Sequence, residues 1–234
     1  MEKILLCSEQ LPKEITELFK ELGQCVFYVP ECNNISPVVS SHPDMLFSVI
    51  GERRLLTDSR FYEGNKSFFE SVSEKGVKIT LSEKNLSEKY PHDILFDAIK
   101  TDRLLVGNLK YTAPELFDEG VKAVNVRQGY ALCSTLLMKN AAVSADKGIC
   151  SALSENGYNV LQITEGDILL KGYGHGFIGG ASAVLEDIKT VVFFGNIQAH
   201  RDGERIVSFC KENGYTVRFN ESLPLSDYGG VKII

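Results

Sequence analysis

No apolar run in this chain approaches the length of a membrane-spanning helix. Met1–Leu6 is too short, and lacks the flanks, to be read as a signal peptide, so a cytoplasmic location is expected. No stretch has the composition of a flexible linker, and residues 1–234 read as one domain. Basic residues are in deficit: 25 Lys and Arg stand against 31 Asp and Glu, a net charge of −6. They are scattered through turns and helix faces, which argues against a nucleic-acid partner. The six cysteines form no CxxC pair and no ligand spacing with the four histidines. Neither a disulfide framework nor a metal site is therefore expected. No phosphate-binding loop is present either, and no cofactor is expected.

What the chain does have is a repeat. DMLFSVIGERRLLTDS (Asp44–Ser59) returns 49 residues later as DILFDAIKTDRLLVGN (Asp93–Asn108), with Asp, Leu, Phe, Ile, Arg, Leu and Leu in register. Each copy reads as an apolar strand, a charged turn and a second strand. The first is followed by a helical pattern, Phe61–Lys75, ended by Gly76, and by an alternating strand, Val77–Leu81. A glycine that stops a helix and opens a β-branched or aromatic strand occurs five times, at Gly23, Gly76, Gly120, Gly157 and Gly214. The helices expected before them are Pro12–Leu22, Phe61–Lys75, Ala113–Glu119, Lys147–Asn156 and Gly203–Asn213. Paired strands are expected over Asp44–Asp58, Asp93–Gly107, Tyr130–Ser144 and Phe177–Gly195. The fifth pair is split: one strand opens the chain at Lys3–Cys7 and its partner closes it at Gly229–Ile234. A closed ring of five units explains that split, because the two ends then complete one unit and no sheet edge is left open. The alternative is an ordinary open α/β sheet.

Several polar residues interrupt apolar context. In Ser40–Asp44, Pro43 biases His42 towards extended geometry, so His42 and Asp44 are expected to face one side. This is either an imidazole made more basic by its surroundings or a strand-capping turn. Gln128, Gly129 and Tyr130 precede Cys133, which reads either as a core residue or as a nucleophile that needs a nearby base or positive field. Five glycines fall within Gly172–Ser182, Gly179 and Gly180 among them. They imply a sharply bent backbone or one that approaches a ligand closely, with His175 on the rim of a cavity. Asp227 holds the same place in its unit as His42 and Asp44 hold in theirs.

Taken together, the chain resembles the pentein fold, the five-bladed α/β propeller of the guanidine-modifying enzyme superfamily. HPDMLFSVIGERRLLTDS resembles the arginine deiminase segment in which a His-x-Asp opens a strand. GYALCSTLL is similar to the glycine-led stretch that carries that superfamily's nucleophilic cysteine. The enzymes place that cysteine near the C-terminus, so the resemblance implies a circularly permuted member. It implies Cys133 as nucleophile, His42 as general acid and then base, and Asp44 and Asp227 as guanidinium-binding carboxylates. One further carboxylate is missing, since Phe177–Ala183 offers Gly and Ser instead. Gln128, Tyr130, His175, Gly179 and Gly180 would line the substrate site. The implied partner is a small cationic amidine or guanidine, and the implied activity that of a hydrolase or amidinotransferase. The other implied possibility is a non-catalytic pentein that uses the ring as a binding surface.

Overall fold

A computed structural model describes residues 3–234; Met1 and Glu2, at the head of the Met1–Leu6 stretch, lie outside it. Strands that alternate or are wholly apolar pair into five separate three-stranded sheets, not one open sheet. In chain order the first four sheets, or blades, are as follows. Blade I holds Phe47–Gly51, Arg54–Thr57 and Lys78–Leu81, and blade II holds Ile99–Lys100, Leu104–Gly107 and Lys122–Asn125. Blade III holds Thr135–Leu137, Ala141–Ser144 and Asn159–Gln162, and blade IV holds Ser182–Leu185, Thr190–Phe193 and Thr216–Arg218. Blade V joins the two ends of the chain: Val231–Ile233, Ile4–Ser8 and Cys25–Val29. In every blade the inner strand runs antiparallel to the middle one, and the outer strand runs parallel to it.

The middle strands are buried along their whole length or nearly so, as apolar runs such as Leu104–Gly107 and Thr190–Phe193 require. Helical segments lie on the crossovers from middle to outer strand, and each crossover reaches its outer strand through a glycine in the left-handed region, with φ from +75° at Gly23 to +86° at Gly214. The apolar core lies between sheets and helices. Under blade I it is an aromatic cluster in which Phe47, Phe61 and Phe69 meet at centroid distances of 5.6–6.1 Å.

Two of the expected helices differ. Phe61–Lys75 is two helices, Ser59–Gly64 and Lys66–Glu74, broken at Asn65. There Gly64 and Asn65 are poor helix formers, and the Asn65 amide donates to Phe61 O. Ala113–Glu119 is only the 3₁₀ turn Pro114–Leu116. The Leu116 carbonyl, which a longer helix would use, accepts instead from Lys100 Nζ at 2.7 Å.

The inner strands also begin later than the apolar pattern implies. Each of the first four is preceded by a lead-in turn: Pro43–Leu46, Ile94–Asp97, Tyr130–Ser134 and Phe177–Ala181. Their backbone bonds include Asp97 N to Ile94 O, Ser134 N to Tyr130 O and Ala181 N to Phe177 O. Neighbouring lead-in segments join the blades around the axis. Asp44 N donates to Gly229 O, Tyr228 N and Gly230 N donate to Gly180 O, and Gly180 N donates to Cys133 O. Leu132 N and Cys133 N donate to Asp97 Oδ1 at 2.7 and 3.0 Å. The ring closes where the inner strand of blade I packs on the Pro114–Leu116 turn of blade II. Among the described residues no helix is long and apolar enough to cross a membrane.

Candidate active site

The lead-in turns place an unusual set of side chains on the ring axis. His42, Asp44, Asp97, Cys133, Asp227 and Lys232 are all buried, each at most 6 % exposed. His42 caps the Pro43–Leu46 turn, and Asp44 sits in its first turn, so the two are not in the extended i, i+2 relation expected of them. The helical turn places them on different cavities, both next to Cys133. His42 lines a cavity of about 280 Å³, together with Asp93, Tyr130, Cys133, Phe177 and Asp227. Asp44 instead lines a cavity of about 170 Å³ beside Gly179, Gly229 and Gly230.

Within the larger cavity Asp227 is the hub. Its Oδ1 accepts from Gly229 N at 2.9 Å and its Oδ2 from Phe177 N at 2.8 Å. Its Oδ2 lies 3.5 Å from Cys133 Sγ, and its Oδ1 lies 3.8 Å from His42 Nδ1. Cysteine, carboxylate and imidazole, contributed by three blades, thus form a continuous line. Tyr130 donates its hydroxyl to Asp93 Oδ2 at 2.7 Å, and its ring lies 6.1 Å from that of Phe177. One wall of the cavity is therefore aromatic, and two carboxylates open onto it.

The electrostatics run against a ready thiolate. Burial pushes the Cys133 thiol well up, and the charges of Asp227, Asp44 and Asp97 push it further. Mutual stabilisation of a thiolate and an imidazolium is thus not the dominant effect. Asp97 is also raised well above the usual carboxylate range, first by burial and then by Asp44. Asp227 is raised by burial, with His42 opposing. Burial lowers Lys232, against the pull of Asp44, Asp97 and Cys133. Asp93 is raised by burial, while the Tyr130 hydroxyl works the other way.

Other expected residues fall in different places. Gln128 lines a separate cavity of about 320 Å³ between blades III and IV, and its side chain accepts from Tyr130 N. His175 borders both that cavity and the Cys133 cavity, with Nε2 3.2 Å from Glu165. Gly179 and Gly180 are there for close packing. A Cβ on Gly179 would stand 2.4–2.6 Å from the carbonyls of Thr135, Leu132 and Cys133, and one on Gly180 would stand 2.0 Å from Asp227 Oδ1. Substitution at Gly179 thus threatens the fold itself, not ligand binding alone.

Sequence reasoning missed Asp93, Asp97 and Lys232. Asp93 puts a second carboxylate beside Asp227 on the Cys133 cavity, while Asp97 holds the Leu132–Cys133 backbone. Their signal was an acid inside an apolar run, Asp97 within Ile94–Ile99, and a lysine inside another, Lys232 within Val231–Ile234.

This architecture is the pentein fold, the five-bladed α/β propeller, and solved structures share it. AgrE, in a ternary complex with ornithine and NAD+, superposes with a TM-score of 0.56 at 12% identity, over 98% of this chain and 38% of AgrE. Inosamine-phosphate amidinotransferase StrB1 from Streptomyces griseus gives 0.55 at 14% identity, over 94% of this chain and 80% of StrB1. DDAH from Pseudomonas aeruginosa, complexed with citrulline, gives 0.53 at 12% identity, over 95% of this chain and 93% of DDAH. The chain itself belongs to the Family of unknown function (DUF6873), whose model matches residues 6–232. No curated protein matches it in sequence.

Proposed function

We propose that this protein binds a small guanidinium or amidinium compound in the cavity at Cys133 and modifies it through a covalent Cys133 adduct. The observation that carries this reading is the convergence of Cys133, Asp227 and His42 from three blades on one carboxylate-lined cavity. Asp227 and Asp93 offer oxygen acceptors to the planar N–H groups of such a cation, and Tyr130 and Phe177 offer it ring surface. A bound cation also supplies what Cys133 lacks. It sets positive charge against the carboxylates that hold the sulfur protonated, and so favours the thiolate.

The Sγ proton passes to Asp227 and on to His42. The sulfur attacks the amidino carbon, and His42 returns the proton to the departing amine. Water then releases a urea or amide product, or a second amine takes the amidino group. Six free cysteines fit a reducing compartment, and we place the protein in the cytoplasm.

The test compares alkylation of Cys133 by chloroacetamidine, a cation, with alkylation by neutral chloroacetamide, followed by intact-mass measurement. A strong preference for the amidine, abolished by Cys133→Ala and weakened by Asp227→Asn, supports the reading. Equal rates for the two reagents would end it. The second reading, binding without turnover, is favoured by the upward push on the thiol. It predicts that Cys133→Ala leaves the affinity for guanidines, measured by calorimetry, unchanged and that no adduct forms.

A further inference from the structure

Besides Asp227, Cys133 meets two further acids. Among the described residues, Asp44, Asp97 and Cys133 form the one group of three or more such side chains whose donor atoms lie within 4.8 Å of one another. All three are buried. Both carboxylate oxygens of Asp44, and Oδ2 of Asp97, have no hydrogen-bond partner although they are shut off from solvent. Buried polar atoms are almost always partnered, and an unpaired carboxylate is among the costliest exceptions. Here one donor atom from each of the two carboxylates lies within 4.8 Å of the other and of the Cys133 sulfur, on residues that carry three unpaired oxygens.

We propose that Asp44, Asp97 and Cys133 bind a divalent first-row transition metal, Zn²⁺ foremost. Two carboxylate oxygens and a thiolate suit a borderline-soft ion that accepts mixed O and S donors in four-coordination. Hard ions such as Mg²⁺ and Ca²⁺ are selected against by the sulfur. Beyond the three ligands, Asp227 stands 3.5 Å from Sγ and His42 stands behind Asp227.

Charge balance points the same way. Lys232 is buried and feels the charges of all three ligands. A dication would offset the negative charge that two carboxylates and a thiolate bring together here. Without a dication, protons must neutralise the cluster. Binding is therefore an exchange: the Sγ–H bond breaks, the Sγ–metal bond forms, and the proton leaves to solvent, as does any proton held on Asp97. No electron changes hands. Because the thiol gives up its proton on binding, affinity rises with pH.

The proposal stands on the geometry of the cluster and shares only Cys133 with the guanidine reading. A metal-bound thiolate and a covalent adduct exclude each other, so the two are tested separately. Chelator-treated protein is titrated with CoCl₂ and, in parallel, with ZnCl₂. One equivalent of Co²⁺ should produce a near-ultraviolet thiolate-to-cobalt band, and Zn²⁺ should displace it and raise the melting temperature. Cys133→Ser should lose the band. Asp97→Asn keeps the acceptor for Leu132 N and Cys133 N, so it should fold and bind about tenfold or more weakly. Absence of the band and of any thermal shift in the wild type overturns the proposal, as does a band that persists in Cys133→Ser. Alkylation by chloroacetamidine is measured on the chelated protein without metal, so either idea can fail while the other stands.

Discussion

Cysteine nucleophiles ordinarily sit where positive charge favours the thiolate, whereas Cys133 has three carboxylates for company. Its intrinsic reactivity should reflect that. Alkylation by neutral iodoacetamide is expected to be slower than that of a free thiol at pH 8. It should still be climbing above pH 9, beyond the free-cysteine value of about 8.5. A rate that plateaus below pH 7 would contradict the acidic environment and indicate an unrecognised cation.

Asp97 leads to a second prediction at this scale. Its folded-state pKa is raised above the unfolded value, so between the two the folded state binds more protons. The stability linked to Asp97 is therefore full at low pH and is lost as pH rises through the folded value. Asp97→Asn keeps one acceptor oxygen and removes the buried charge. In metal-free protein it should raise the melting temperature at pH 8 and flatten the slope between pH 5 and 8. A lower melting temperature at pH 8 with an unchanged slope would show that the Asp97 charge is compensated in some other way.

At the scale of elements, the lead-in turns carry the side chains of the axial cluster and the glycines make room for them. Gly180→Ala drives a methyl group into Asp227, and Gly179→Ala drives one into three carbonyls that cannot move aside. Each should cost about 3 kcal/mol in chemical denaturation, the upper part of the overpacking range. Gly174, with open space around its Cα, should accept alanine within about 0.5 kcal/mol.

Asp58 tests a different joint. Its carboxylate caps Ser59–Gly64 through Arg60 N and Phe61 N, and it also accepts from Leu86 N at 2.7 Å. Asp58→Ala removes the cap and strands a buried N–H. About 2–4 kcal/mol should be lost, read as a lower denaturation midpoint.

What could be read from the sequence follows from these same elements. The 49-residue repeat and the five helix-ending glycines gave the unit, because strand burial and left-handed caps leave direct residue signatures. The lead-in turns left none. Leu46 and Phe47 are equally apolar, yet one lies in a helical turn and the other in a strand. So the positions of His42, Cys133 and Asp227 were legible while the directions in which they point were not. Asp97 and Lys232 were missed because each lies in an apolar strand-like run, where a charge has meaning only once its neighbours across the axis are known.

For the molecule as a whole, the ring is fastened by the pairing of Ile4–Ser8 with Val231–Ile233, reinforced by Ile4 N to Ile234 O and Ile234 N to Ile4 O at 3.1 and 3.0 Å. A short linker between the ends would turn that pair into a hairpin. A chain so joined and reopened between the exposed Glu119 and Gly120 should fold and melt within about 5 °C of the original. Loss of a cooperative transition in this permutant would mean that the order of the blades along the chain, and not only their arrangement around the axis, is needed for folding.

That clasp also sets a timetable. On the ribosome, blades I to IV are made in succession, each from a continuous stretch of chain, while Ile4–Ser8 and Cys25–Val29 wait for the strand that completes their sheet. The strand arrives after all the others, and the same late segment brings Asp227 and Lys232 to the axis. Until then the acids of blades I and II have neither the lysine nor the hub of the cysteine–imidazole line, and the nascent protein holds four blades of five around an open gap. The axial cluster is thus completed only once the segment that carries Asp227 and Lys232 has been made, and a chain cut short before Asp227 lacks that cluster.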